Sequence, residues 1–185
     1  MVSSHVLRKV GEELETVLRS DTLAAMDDGA RLQRPVLKRV MLIASCGGHW
    51  IELTRLAEAF RGCHCEFVST APNLIAPIGD QPVIKVTDGS RDSLGALLSA
   101  CLELWRVIRS RRPDVIVSTG AAPGAIAIYI AKLYGIRTIW IDSVANSDSL
   151  SLSGRAVRPV ADLCLTQWPQ LAQRDKRLRY FGRVL

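Results

Sequence analysis

The chain lacks any apolar run long enough to be read with ease as a membrane span. The nearest, residues 120–136, is interrupted by Lys132, carries Pro123 near its start and falls short of the ~20 residues a span requires. A buried helix is the better expectation. A secretory leader is also missing, because Glu12, Glu13 and Glu15 occupy the place where its apolar segment would lie. The five cysteines are an odd number without the spacing of a disulfide framework, which points to a reducing compartment. Cys63-His64-Cys65 has no second cluster to complete a four-ligand zinc site, so no metal is expected. Neither the dinucleotide fingerprint G-x-G-x-x-G nor the P-loop lysine is present. That counts against a free-standing nucleotide-binding oxidoreductase, although fold alone does not fix function.

What is present is a globular composition, with 48% hydrophobic and 23% charged residues in 185 positions, enough for one domain. The formal charge is +6, and 19 of the 24 basic residues are arginine, whose planar fork pairs well with phosphate oxygens. Arg106, Arg109, Arg111 and Arg112 form one cluster, and Arg155, Arg158, Arg174, Lys176, Arg177, Arg179 and Arg183 crowd the C-terminal part. Such clusters suit nucleic acid, anionic lipid headgroups or diphosphates, or are simply a solvated face.

Residues 1–37 read as a helical extension, with Val6, Leu7, Val10, Leu14, Val17 and Leu18 at three- and four-residue intervals. Asp27-Asp28-Gly29 and Pro35 mark its expected end. From residue 38 to 185 the rhythm is apolar run, glycine-bearing turn, helix, which predicts an α/β domain with a Rossmann-like parallel sheet and flanking helices. Strands are expected at 40–44, 66–69, 83–86, 115–118, 138–141 and 163–166, with another beginning at 180–185. Helices are expected at 50–60, 93–110 and 124–134, and a serine-rich loop at 143–153.

The first strand runs into Ser45-Cys46-Gly47-Gly48-His49 and then a helix, a pattern that lets backbone N–H groups approach an anion. Glu52 stands where a cysteine phosphatase would want an arginine. His49 is placed either as a general base or as a structural, hydrogen-bonded histidine. A second glycine loop, Ser118-Thr119-Gly120-Ala121-Ala122-Pro123-Gly124, follows the fourth strand. The two loops would aim two helix N-termini at one cleft. Asp142-Ser143 at the end of the fifth strand adds a carboxylate, for sugar binding or proton transfer or merely for a turn. On helix 93–110, Leu94, Leu97, Leu98, Cys101, Leu104, Trp105 and Ile108 share one broad face. It would pack on the sheet or lie in a membrane interface with Trp105 at headgroup depth.

VMLIASCGGH at 40–49, RPDVIVSTGAAPG at 112–124, WIDS at 140–143, LSLSGRAVRPVADLCLTQWPQL at 150–171 and Tyr180-Phe181-Gly182 together resemble the asparagine-linked-glycosylation membrane-anchor subunit family. Its bacterial members are PssD-type exopolysaccharide glycosyltransferase subunits. The resemblance implies the N-terminal half of a GT-B glycosyltransferase, an acceptor-binding and membrane-recruiting subunit. It would be active with a small UDP-sugar-binding partner and would transfer N-acetylglucosamine or another hexose, with inversion, to a polyprenyl-diphosphate-linked glycan. His49 and then Asp142 become the expected catalytic residues. Ser45, Gly47, Gly48, Thr119, Gly120, Gly124 and Ser143 become the expected acceptor and phosphate contacts. Trp105, Arg106, Arg109 and Trp168 would meet the membrane or the partner. The UDP-sugar is a substrate, so no cofactor is expected, nor is nucleic acid a partner. After Tyr180-Phe181-Gly182 a full two-domain transferase would continue into its donor domain, whereas this sequence stops. The family commonly has glutamate where this chain has Asp142, and many eukaryotic members begin with a transmembrane helix where this chain has a charged extension. Peripheral attachment at the cytoplasmic face is therefore expected. A non-catalytic scaffold holding the partner at the membrane is the alternative.

Overall fold

The computed structural model describes residues 4–19, 38–79, 81–89 and 93–184. The turn signals at Asp27-Asp28-Gly29 and Pro35 lie outside the described residues, as do the side chains of Leu14, Val17 and Leu18. Seven parallel strands form one sheet in the order β3-β2-β1-β4-β5-β6-β7. They are β1 (Arg39–Ala44), β2 (His64–Ser69), β3 (Ile84–Lys85), β4 (Val115–Ser118), β5 (Arg137–Ile141), β6 (Leu163–Leu165) and β7 (Leu178–Arg179). The helices are α1 (Ser4–Arg19), α2 (Gly48–Leu56), α3 (Leu94–Arg111), α4 (Ala121–Leu133), α5 (Leu152–Val157) and α6 (Pro169–Arg174).

Alternation along the strands sorts the core into two layers. Val40, Leu42, Val115, Val117, Ile139 and Ile141 face one way, against Leu53 and Leu56 of α2. Met41, Ile43, Ile116 and Trp140 face the other, against Leu104 and Ile108 of α3 and Ala127 and Ile128 of α4. Val6 and Val10 of α1 are buried in the first layer. Gly182 admits α1 there, since a Cβ on it would lie 2.4 Å from Val6 Cγ2. Arg179 Nη2 pairs with Glu13 at 2.7 Å beside that contact.

Three expectations are corrected. The last strand is Leu178–Arg179, ahead of the expected 180–185, because Val184 N–H is taken by the Gln167 side chain at 2.8 Å instead of a neighbouring strand. Helix α4 starts three residues early, because Pro123 in a first turn needs no N–H partner and does not delay the helix. The serine-rich loop ends at Ser151, which caps α5 by accepting from Gly154 N–H at 2.8 Å. Helix α3 buries only Ala100, Leu104 and Ile108 fully. Leu94, Leu98 and Trp105 remain 73%, 57% and 38% exposed. The broad apolar face thus divides into a stripe that meets the core and a stripe that does not.

Candidate active site

The sheet order reverses direction of growth at β1 and β4, which pair with each other while their following helices cross to opposite faces. A crevice opens at the carboxyl ends of such a strand pair. Ile43 lies opposite Ser118 in the register, so the two glycine loops leave the sheet side by side.

Each loop turns through a glycine at positive φ, Gly47 at 77° and Gly120 at 146°. Neither helix that follows has a side-chain cap. The leading N–H groups of α2 and α4 therefore remain available, and their dipoles favour a negative group in front of them. The loops are stitched together: Thr119 Oγ1 donates to the His49 carbonyl at 2.8 Å, Gly120 N–H donates to Ser118 Oγ at 3.2 Å, and Cys46 N–H donates to Thr70 Oγ1 at 3.0 Å. Ser45 is buried, with its hydroxyl 3.4 Å from the Cys46 carbonyl. Gly48 stands open, with nothing within 4 Å of a Cβ placed on it.

His49 lies in the first turn of α2 with its ring against Gly120. A Cβ on Gly120 would be 2.5 Å from both Cε1 and Nδ1 of that ring. Nδ1 is buried and has no hydrogen-bond partner. Gly124 is not in the second loop as expected. It is buried in α4, where a Cβ would stand 1.9 Å from Ser118 Oγ and 3.3 Å from Trp140 Cζ3. Its missing side chain lets helix and sheet approach, a packing role in place of a phosphate contact.

Asp142 is 1% exposed and fully engaged. It accepts from Trp140 Nε1 at 3.1 Å, Ser151 N–H at 3.0 Å and Ser151 Oγ at 2.6 Å. This carboxylate ties the loop after β5 to the cap of α5. Ser143 turns the other way, donating to Glu52 Oε1 at 2.9 Å, and Val144 N–H donates to the same oxygen at 2.9 Å. Burial drives the Glu52 carboxyl above its ordinary pKa, only partly offset by Val144, Ser143, the His49 charge and Gln167. Glu52, weighed in the sequence only against a cysteine phosphatase, is the residue missing from the expected site. Its position three residues after His49, one turn along a helix, was the available signal.

The expected membrane or partner contacts separate. Trp105 donates from Nε1 to Tyr134 OH at 2.6 Å with Arg109 over its ring at 5.5 Å, and Arg106 is exposed beside it. Trp168 is half-buried next to the site, donating to the Val144 carbonyl at 2.7 Å with Arg183 stacked on it at 4.0 Å. It buttresses the loop after β5 and does not join the α3 stripe. Among the described residues no helix is long and apolar enough to cross a membrane, and no three potential metal ligands converge.

A profile described as "Oligosaccharide biosynthesis protein Alg14 like" matches residues 84–184, more than half of the chain. The chain belongs to the Alg14-like family. The matched span begins after the first glycine loop, so the place of His49 in this Alg14-like chain rests on the geometry above. The relative named UDP-N-acetylglucosamine transferase subunit ALG14 of Eremothecium gossypii is 27% identical over 180 residues, covering 80% of each chain. The Schizosaccharomyces pombe subunit of that name is 40% identical over 79 residues, covering 39% of this chain and 37% of its own. Among solved structures, Acinetobacter baumannii MurG superposes with a TM-score of 0.55 at 19% identity, over 72% of this chain and 43% of that one. A UDP complex of Staphylococcus aureus MnaA gives 0.61 at 13% identity, over 80% and 46%. At such identities the likeness is one of fold. This Alg14-like chain has the α/β architecture of a GT-B half and spans less than half the length of either structure.

Proposed function

We propose that the chain is the acceptor-side subunit of a two-component glycosyltransferase that uses UDP-N-acetylglucosamine and extends a polyprenyl-diphosphate-linked glycan. The observation that carries this reading is the pair of uncapped helix N-termini at the β1/β4 crevice with His49 between them. Two such termini suit a diphosphate, and the imidazole beside them suits removal of a proton from the attacking hydroxyl. The names of the relatives support the donor sugar and the standing as a subunit. In the reaction the acceptor oxygen attacks the anomeric carbon and UDP leaves, with inversion at that carbon. A small partner subunit holds the UDP-sugar.

The exposed stripe of Leu94, Leu98 and Trp105, flanked by Arg106 and Arg109, supports peripheral attachment at the cytoplasmic membrane face. Its aromatic belongs at the interface and its arginines at anionic headgroups.

Transfer of label from UDP-N-acetylglucosamine to a polyprenyl-diphosphate acceptor tests the proposal, with this chain alone and with the small protein encoded beside it. Activity with both together and neither apart is expected. Transfer by this chain alone would overturn the split donor site. In the same preparation Leu98→Asp should release the chain from anionic vesicles, and undiminished sedimentation with them would remove α3 from membrane contact.

A further inference from the structure

Among the described residues only three buried side-chain polar atoms lack a hydrogen-bond partner: His49 Nδ1, Glu52 Oε2 and Ser69 Oγ. Two of the three belong to one turn of α2. Residues three apart on a helix have Cβ atoms about 5–6 Å from each other, within reach for an imidazole and a carboxyl. A buried polar atom left unpaired is costly, so two on one turn of a helix are an unusual arrangement unless they serve each other. Glu52 cannot turn away freely. Its other oxygen is held by Ser143 Oγ and Val144 N–H, Gln167 lies beside the carboxyl, and the residue is 1% exposed.

We propose that Glu52 is a positioning residue for His49: its oxygen Oε2 accepts a hydrogen bond from Nδ1–H of the imidazole and leaves the Nε2 lone pair facing the acceptor. This rests on the reading of His49 as the base. The influence of the His49 charge on the Glu52 carboxyl agrees with the proximity that the pairing requires. In this structure Nδ1 lies against Gly120 without a hydrogen-bond partner, so the pairing requires the ring to turn toward Oε2.

The proton inventory is simple. The acceptor O–H bond breaks and its proton goes to Nε2. The oxygen pair forms the new bond to the anomeric carbon, and the bond from that carbon to the UDP oxygen breaks. The proton on Nδ1 stays where it is, and the Glu52 carboxylate stabilises the imidazolium that has formed. Without the carboxylate both tautomers compete, and the one with Nε2 protonated has no lone pair to offer.

Glu52→Gln separates this role from a structural one. The Gln carbonyl oxygen can still accept from Ser143 and Val144, so the loop after β5 keeps its anchor. The amide nitrogen then faces Nδ1 as a donor and drives the imidazole proton to Nε2, the wrong tautomer. Nitrogen-15 spectra of the imidazoles report this directly, and the chain has only three histidines to resolve. In the wild-type chain His49 should carry its proton on Nδ1, and in Glu52→Gln on Nε2. Turnover of the chain with its partner should fall by about a hundredfold or more, with KM little changed, the pattern expected when a base is held in the wrong tautomer. An unchanged tautomer in Glu52→Gln would overturn the pairing, whatever the rate. A switched tautomer with normal turnover would uphold the pairing and remove His49 from the chemistry.

Discussion

Replacing Gly120 with alanine should disable the site far more than it destabilises the fold. Gly120 sits at φ 146° and ψ −173°, a region that side-chain-bearing residues adopt only at a cost of about 1–3 kcal/mol. In a domain of this size each kcal/mol lowers the melting temperature by roughly 2–4 °C, so a loss of a few to about 10 °C is expected. The added Cβ would also lie 2.5 Å from two atoms of the His49 ring. Non-bonded carbons prefer about 3.5–4.0 Å, so the imidazole must retreat by about 1 Å. A misplacement of that size costs on the order of a hundredfold in rate. The assay pairs a thermal melt of the isolated chain with turnover of the assembled enzyme well below the melt. Gly95→Ala is the control, exposed in α3 and with nothing nearer to its Cβ than Ser93 Oγ at 3.8 Å; it should hold or gain stability. Turnover of Gly120→Ala within a few-fold of wild type would refute the contact between Gly120 and His49 as a determinant of activity.

Two further changes test the surroundings. Asp142→Asn places an amide nitrogen against one of three converging donors, so we expect a loss of about 2–3 kcal/mol in a denaturant titration; wild-type stability with collapsed turnover would instead assign Asp142 to the chemistry. Asp162 receives Lys132 Nζ at 2.8 Å and Thr138 N–H and Oγ1 at 2.8 and 2.9 Å. Burial acts to raise its carboxyl, but Lys132 and Thr138 outweigh burial and hold its pKa below the ordinary value. A depressed acid contributes stability above its unfolded pKa, near about 3.9, and that stability is lost as pH falls through the folded value. Asp162→Asn should therefore be less stable than wild type at neutral pH and nearly match it in strong acid, and a constant difference across the titration would show that the ion pair is not responsible.

The strand-and-helix rhythm was legible because the central strands β1, β4, β5 and β6 are short, mainly apolar runs bounded by turns and buried almost throughout. Two facts were not legible. The short helices α5 and α6 span six residues each and are fixed by a Ser151 cap and by Pro169, signals too local for periodicity to reveal. The division of the α3 face depends on which arc meets the sheet, and the pattern of leucines does not say. At the site, the two glycine loops and His49 could be found from sequence because each follows a strand. The roles of Gly124, Asp142 and Trp168 could not, since each is decided by a contact that the sequence pattern does not display: Trp140 Cζ3 for Gly124, Ser151 for Asp142 and the Val144 carbonyl for Trp168.

The same topology explains how loops far apart in sequence hold helix α2. Helix α2 leaves β1 and is met by the loops after β4, β5 and β6, which carry Thr119, Ser143 and Gln167. Thr119 holds the start of α2 through the His49 carbonyl, and Glu52 holds its next turn to Ser143 and Val144. Gln167 continues the chain of contacts, donating to the Asp142 carbonyl at 3.2 Å and accepting from Val184 N–H. Because an unsatisfied buried group is costly, such a network favours one arrangement of the three loops over a range of nearby ones. The N-termini of α2 and α4 are then held in a fixed mutual placement before any ligand arrives. For the proposed diphosphate ligand, whose two charges must each meet a donor set, that placement would reduce the ordering cost of binding. The buried polar contacts around Glu52 would thus serve the proposed site as well as the fold.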